Sequence, residues 1–195
     1  MLMRNRRSVL LAATGMLAAP AIARAQLAQS PPGARLTLAK AIAGDDRLTR
    51  FAMLIARTGV DRRLDEAGQF TVFAPTDSAF GWLPAPVVES LLGRRGGAGE
   101  AVVDSSRSNS VALQHVVAYS YPLARLNGTT EDLEALNGGK LHIEGAKNPI
   151  ELRAVNTPGV LSAPGLSFPG TAKIVAADNF ASNGVVHVID TLLLP

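Results

Sequence analysis

The sequence predicts an α+β fold in which the helices and most of the strands occupy different parts of the chain. Apolar residues recur at helical spacing through most of residues 36–117. Period-two patterns and turn signals dominate after residue 130, where several short strands are expected. One short buried strand, at 70–74, interrupts the helical part. Helices that come first and strands that mostly follow favour an α+β architecture over alternating βαβ units.

Residues 1–25 are predicted to be an export signal that does not belong to the fold. The segment Ala23-Arg24-Ala25 fits the small-x-small rule of signal peptidases, with cleavage after Ala25. The apolar stretch before it is shorter than the ~20 residues that a membrane-spanning helix needs. The run NRRSVL at 5–10 resembles a bacterial twin-arginine signal, and a Sec signal is the alternative.

Removal of the signal changes the electrostatic interpretation of the chain. The full sequence has 19 Lys+Arg and 16 Asp+Glu, and the signal holds four of the arginines and none of the acids. The mature chain therefore has 15 basic and 16 acidic residues, a net charge of −1. This balance argues against a nucleic-acid partner. The absence of cysteine excludes disulfides and thiolate metal sites, and no further apolar run predicts a membrane span in the mature chain.

The first helical patterns follow a lead-in at 26–36 that is polar, contains proline and is predicted to be disordered. We expect one domain at 37–195, a typical length for a single domain. Asp45-Asp46 is an N-cap signal, and Gly59 is a C-cap signal. The apolar face between them contains Leu48, Phe51, Leu54 and Ile55. A short helix is expected at 61–66.

The strand at 70–74, FTVFA, is rich in β-forming residues and is stopped by Pro75. Thr76-Asp77-Ser78 is predicted to cap a small helix that carries Phe80 and Trp82. Pro86 starts the next helix, and glycine-rich residues 93–99 form a loop. A further helix, capped by Ser108 or Asn109, is expected to run into His115.

The last third of the chain is predicted to be mostly strand. Segments 133–136 and 141–144 flank Asn137-Gly138-Gly139-Lys140, which is a hairpin signal. A strand follows at 150–155, and closing strands are expected at 173–176 and 185–194. The segment between the strand at 150–155 and the first closing strand, 156–170, contains three Pro-Gly steps. It is predicted to be a long loop that exposes Leu166 and Phe168.

Two segments resemble the signature motifs of the fasciclin (FAS1/beta-Ig-H3) domain family: FTVFAPTDSAF at 70–80 and NGVVHVIDTLLLP at 183–195. A third, LQHVV at 113–117, resembles the central Tyr-His motif of that family, with Gln114 where an aromatic residue is usual. The resemblance covers about 37–195 and implies a wedge of β-strands packed with a group of α-helices. It also implies a role outside the cell or at its surface, most often adhesion or protein interaction, and the family has no common enzymatic activity. The motif residues, which we expect to be mainly structural, are Phe73, Pro75, Thr76, Asp77, Phe80, His115, Asn183, Gly184, His187 and Asp190.

The final motif predicts an interior strand. Side chains alternate between the two faces of a strand, and here apolar residues occur on both, so the strand is expected to be covered on both sides. We expect it to pack beside 71–74, where the first and last motifs would meet. A buried His187 then needs a hydrogen-bond partner, and the candidates are Asp77, Thr76 and backbone carbonyls near the first motif.

No catalytic, metal or cofactor site is predicted. His115, His142 and His187 have no spacing typical of zinc ligands, and neither a P-loop nor a GxGxxG motif is present. Asp178 stands where the family often carries an acidic recognition segment. The candidate interaction surface comprises Tyr119, Tyr121, Leu166, Phe168 and Asp178, and packing of the tyrosines in the core is the alternative.

These observations indicate a non-enzymatic, single-domain, exported protein. It would be periplasmic or secreted and would act in cell adhesion or in binding a cell-surface or extracellular protein or a polysaccharide. The alternative function is a periplasmic protein that binds an apolar small ligand in a cleft, with 156–170 as its lid.

Overall fold

The structure is a computed structural model, and it describes residues 36–93, 104–155 and 170–195. The predicted signal with its cleavage residue Ala25, all but the last residue of the lead-in, and nearly all of the two predicted loops lie outside the described residues. Leu166 and Phe168 are therefore outside them as well.

Helices make up most of the first half of the described chain. The α-helices are α1 (Leu38–Ala43), α2 (Thr49–Thr58), α3 (Val60–Asp65), α4 (Ala85–Leu92), α5 (Ser105–Gln114) and α6 (Leu123–Leu126), and 3-10 turns occupy Asp46–Leu48 and Asp77–Trp82. In 36–93, 104–155 and 170–195, none of the helices combines the length and hydrophobicity that a bilayer crossing requires.

The ends of the helices follow local signals in most places. Asp45 caps the turn before α2 by accepting a hydrogen bond from the backbone N–H of Arg47 at 3.0 Å. Gly59 adopts a left-handed conformation, φ 73°, and ends α2 as predicted. The predicted cap of α5 was wrong, because the helix begins one turn earlier and Asp104, rather than Ser108 or Asn109, accepts from the N–H of Arg107.

Seven strands form one sheet within the described residues. They are β1 (Phe70–Pro75), β2 (Val116–Ala118), β3 (Thr130–Glu134), β4 (Lys140–Glu144), β5 (Glu151–Val155), β6 (Ala172–Ala181) and β7 (Gly184–Ile189), in the spatial order β2-β1-β7-β6-β5-β4-β3. The sheet curves until its two outer strands approach each other, and an isolated bridge joins Val117 of β2 to Ala135, next to β3. The α+β fold class is thus confirmed.

Strand β7 lies in the middle of the sheet, as the final motif predicts. It runs parallel to β1, with His187 opposite Phe73, and antiparallel to β6. The strand is shorter than predicted and ends at Ile189. The chain leaves the sheet after Asp190, because the N–H of Leu193 is held by the buried ring of His115. Strand β6 is longer than predicted and contains register shifts between residues 174 and 179.

Two apolar cores lie on opposite sides of the central strands. The first core packs helices α1–α5 against the sheet and includes Val186 and Val188 of β7. The second lies inside the curved sheet and includes Phe73 and Ile189. Every residue of β7 is buried, and each large aliphatic side chain contributes about 1.5–3 kcal/mol on burial. The prediction of a strand covered on both faces is confirmed.

Candidate functional site

His115, in the central motif, is a buried histidine with a neutral ring that connects two parts of the chain. Its Nδ1–H donates to the carbonyl of Val111 at 2.7 Å, and its Nε2 accepts from the backbone N–H of Leu193 at 3.0 Å. Burial lowers the pKa of His115 to about 4. Both ring nitrogens are occupied, so this histidine joins helix α5 to the end of the chain.

His187, in the final motif, is also held by two backbone groups. Its Nε2–H donates to the carbonyl of Tyr121 at 2.8 Å, and its Nδ1 accepts from the N–H of Asp178 at 3.3 Å. Burial lowers its pKa, although the bond to Tyr121 acts in the opposite direction. Of the predicted partners, Asp77 and Thr76 were wrong, because His187 lies opposite Phe73, whereas both follow the end of β1. The third candidate, a backbone carbonyl near the first motif, agrees with the bond to Tyr121, whose N–H is bound by Thr71.

Asp77 instead stabilises a helix that precedes it in sequence. Its Oδ1 accepts from the backbone N–H of Arg50 at 2.7 Å, in the first turn of α2. The hydroxyl of Thr76 forms a hydrogen bond with Ser78 at 2.8 Å but does not cap the 3-10 turn. In that turn Phe80 is buried, whereas Trp82 is 67% exposed.

The other motif residues also make contacts within the fold. The side chain of Asn183 accepts from the N–H of Leu38 at 2.9 Å and donates to the carbonyl of Leu64 at 2.6 Å, which connects β7 to α1 and α3. Asp190 accepts from the N–H of Lys173 at 2.8 Å. The buried motif residues that pack rather than form polar contacts are Phe73, Pro75, Phe80 and Gly184.

The segment 119–121 is a loop whose backbone is anchored to the sheet at several points. The hydroxyl of Thr71 donates to the carbonyl of Tyr119 and accepts from the N–H of Tyr121, each at 2.8 Å. The N–H of Tyr119 donates to the carbonyl of Gln69 at 2.6 Å, and His187 holds the carbonyl of Tyr121. Tyr119 itself has φ 71° and is 59% exposed.

The predicted interaction residues within the described segments differ in exposure. Tyr121 is partly buried against the second core, and the guanidinium of Arg125 lies over its ring at 4.1 Å. The Oδ1 of Asp178 accepts from the N–H of Leu123 at 2.7 Å, at the start of α6, so this carboxylate has an internal partner. Of the three members within the described residues, Tyr119 alone is exposed.

A groove of about 530 Å³ lies between this loop and the hairpin of β3 and β4. Tyr119 and Tyr121 line one side, and Glu134 and Asn137 line the other. No sequence signal pointed to Glu134, because its pattern is that of an ordinary polar residue in a strand. Only the curvature of the sheet brings Glu134 to the same groove as Tyr119.

Gln114, which departs from the family pattern, has a structural partner next to this groove. Its Oε1 accepts from the side chain of Asn137 at 2.7 Å, and Asn137 also donates to the carbonyl of Ser110 at 3.1 Å. The amide therefore connects the hairpin turn to α5.

Comparisons with known proteins agree with this architecture. Protein sll1483 of Synechocystis is 26% identical over 171 residues, which cover 88% of this chain and 80% of that protein. Transforming growth factor-beta-induced protein ig-h3 of Sus scrofa is 30% identical over 159 residues, and the match spans 82% of this chain but 19% of that relative.

A solved structure shows the same fold. The FAS1 domain pair of the insect cell adhesion molecule Fasciclin I matches with a TM-score of 0.53 at 16% identity, covering 75% of this chain and 45% of that one. The sequence model of the fasciclin domain matches residues 46–195. The chain therefore belongs to the fasciclin family.

Proposed function

We propose that this protein is an exported, non-enzymatic interaction module of the fasciclin family. It acts in the periplasm or outside the cell, in adhesion or by binding a cell-surface or extracellular protein or a polysaccharide. The matches to a cell adhesion molecule and to other fasciclin proteins support this class of function.

Tyr119 is the observation that carries the proposal. Its backbone is in the left-handed region, which costs a residue with a Cβ roughly 1–2 kcal/mol. Its side chain is mostly exposed and gains little from burial. Strained backbone positions cluster at functional sites, and a rigid, exposed tyrosine is typical of the residues that dominate protein interfaces.

The assignment as a non-enzyme rests on the state of the titratable residues. Both buried histidines are held by backbone groups on each ring nitrogen. Within the described segments, no three His, Asp or Glu side chains converge closely enough to hold a metal ion. A general acid or base needs a free nitrogen or oxygen near a substrate, so these histidines are better explained as structural.

A genetic experiment tests the proposal. The gene is deleted from its host and restored as wild type, Tyr119→Gly or Tyr119→Phe, and surface attachment and cross-linked extracellular partners are measured. We expect the wild type and Tyr119→Phe to restore both properties and Tyr119→Gly to restore neither at equal protein level. A deletion strain with unchanged attachment and unchanged cross-linking partners would contradict the proposal.

Export is tested separately by cell fractionation. Replacing Arg6 and Arg7 with lysine is expected to retain the protein in the cytoplasm, because the twin-arginine pathway reads that pair. Unchanged export of this variant would indicate the Sec route. Wild-type protein found only in the cytoplasm would contradict the proposed location.

A second candidate function, binding of a small apolar ligand, is favoured by the size of the groove. Its volume of about 530 Å³ falls within the range of small-molecule sites. Native mass spectrometry of the protein isolated from its own cells separates the two functions. An additional mass that is lost on denaturation supports the ligand-binding function, and a clean mass supports the interaction module.

A further inference from the structure

Tyr119 occupies a position that neither packing nor backbone preference explains. Glycine, asparagine and aspartate adopt the left-handed region far more readily than tyrosine. The neighbouring hydrogen bonds to Gln69 and Thr71 involve only the backbone of Tyr119 and would form with any residue there. The backbone of Tyr119 is thus held in place, and its exposed ring does not contribute to the core.

Glu134, on the other side of the groove, has no ion pair among the described residues, whereas neighbouring carboxylates do. On the outward face of β3–β5, Asp132 pairs with His142 at 2.6 Å. Lys147 pairs with Glu144 at 2.7 Å and with Glu151 at 2.6 Å. Glu134 makes no such pair within the described residues, even though Lys140 stands opposite it in the register of β3 and β4.

One tyrosine that lines this groove, Tyr121, already has a cation over its ring. The guanidinium of Arg125 lies 4.1 Å from the centre of the ring of Tyr121, a geometry typical of a cation–π interaction. Tyr119 carries no such cation among the described residues, and it faces the same groove as the free carboxylate of Glu134.

We propose that this groove binds a cationic side chain, an arginine or a lysine, that a partner protein presents. The cation would lie against the ring of Tyr119 and form a charge-assisted hydrogen bond with Glu134. The inference rests on the proposed function and specifies its partner as a protein with an exposed basic residue. The anchored backbone of the loop means that little conformational freedom is lost on binding.

A titration with a defined peptide tests the inference. The probe is a blocked peptide, acetyl-Gly-Arg-Gly-Arg-Gly-amide, and the control replaces both arginines with citrulline, which has nearly the same shape but no charge. Each is added to the isotope-labelled full-length chain, and backbone amide shifts are followed at low and high salt. We expect the arginine peptide, and not the citrulline peptide, to shift amides at Tyr119, Glu134 and Gly138, with weaker binding at high salt.

Variants separate the ring from the charge. Tyr119→Gly is expected to keep or raise the wild-type melting temperature, because glycine relieves the backbone strain, and to weaken peptide binding by about tenfold. Tyr119→Phe is expected to bind like the wild type. Glu134→Gln is expected to weaken binding severalfold. Lys140→Gln is expected to strengthen it, because the repulsion between Lys140 and the incoming cation is removed.

The inference would be overturned by no shifts at the groove, by equal shifts from the citrulline peptide, or by binding that Glu134→Gln leaves unchanged. A neutral disaccharide such as cellobiose is titrated in parallel, and shifts at the groove from it alone would also overturn the cation site. The proposed function is scored by attachment and cross-linking. If Tyr119→Gly loses attachment but the wild-type protein does not bind the arginine peptide, the proposed function is retained and the cation site is rejected.

Discussion

At the scale of single residues, the polar side chains of the fasciclin motifs bridge elements that are far apart in sequence. Asp77 accepts from Arg50, 27 residues earlier in the first turn of α2, and Asn183 reaches back 145 residues to Leu38. His115 and His187 likewise bind backbone groups of other elements. Each of these polar groups is satisfied, so removal of one would leave its backbone partner without a hydrogen bond, at a cost of about 1–3 kcal/mol where that partner is buried.

Protonation of the buried histidines is expected to destabilise the protein. The pKa of His115 falls from 6.5 to about 4 on folding, and that of His187 also falls. The unfolded chain therefore binds more protons than the folded one between pH 6.5 and 4, and the free energy of unfolding decreases as the pH falls through this window. For His115 the loss is about 3 kcal/mol by pH 4, and it levels off below that pH.

Urea denaturation at a series of pH values from 7 to 4 measures this loss. His115→Gln should be less stable at pH 7 and should lose stability less steeply on acidification. Replacement of the partly buried His142 with glutamine serves as the control for removing a histidine. An identical pH slope in His115→Gln and the wild type would show that His115 does not carry the effect.

Asp77 is expected to matter as a helix cap. Asp77→Ala should lower the free energy of unfolding by about 1 kcal/mol, because the N–H of Arg50 loses its acceptor. Asp77→Asn retains an acceptor oxygen and should cost less. Ser78→Ala, at the neighbouring exposed position, is the control and should change stability by no more than about 0.5 kcal/mol. Equal effects of the alanine variants in chemical denaturation would contradict the capping role.

At the scale of elements, the parallel pairing of β1 and β7 depends on Gly184. Its φ is 151°, and a Cβ there would overlap the carbonyl oxygen of Phe70 on the neighbouring strand. Only glycine lets the two strands approach this closely at the point where their pairing begins.

Gly184→Ala is expected to reduce stability by about 3 kcal/mol or more, since backbone strain and steric overlap add. Gly128→Ala is the matched control, because Gly128 has φ 77° and open space where its Cβ would lie. The control should cost about 1–2 kcal/mol from backbone strain alone. Similar losses for the two variants, measured by urea denaturation, would show that the approach of β1 and β7 is not limiting.

At the scale of the whole molecule, β7 holds the two cores together. It pairs with β1 on one side and β6 on the other, and its side chains enter the helical core and the core inside the sheet. Its loss would expose both cores and split the sheet into two parts.

Truncation of the chain at residue 185 is therefore expected to abolish cooperative folding. The measurement is thermal unfolding followed by circular dichroism, together with the solubility of the fragment 26–185. The fragment is expected to lack a sharp transition and to aggregate, because both cores are exposed. A soluble fragment that melts cooperatively would show that the rest of the sheet folds without its central strand.

Much of the fold could be predicted from local patterns. The apolar spacing of α2, the β-rich run of β1 and the Asn-Gly signal after β3 each depend on neighbouring residues, and all three elements occur near their predicted positions. The predictions were weaker at element ends. The cap of α5 and the end of β7 depend on hydrogen bonds to Asp104 and His115, which compete with the local signals.

The amino-acid sequence by itself determined the α+β class, the interior position of β7 and the resemblance to fasciclin domains. These features depend on the spacing of apolar residues and on motifs, which are local properties of neighbouring residues. The tertiary structure alone decided that His187 binds Tyr121, 66 residues away, and that Glu134 faces Tyr119 across a groove. Those contacts form only when the sheet curves and its outer strands meet. The physical reason is that long-range partners depend on strand register and sheet curvature, which no local pattern specifies.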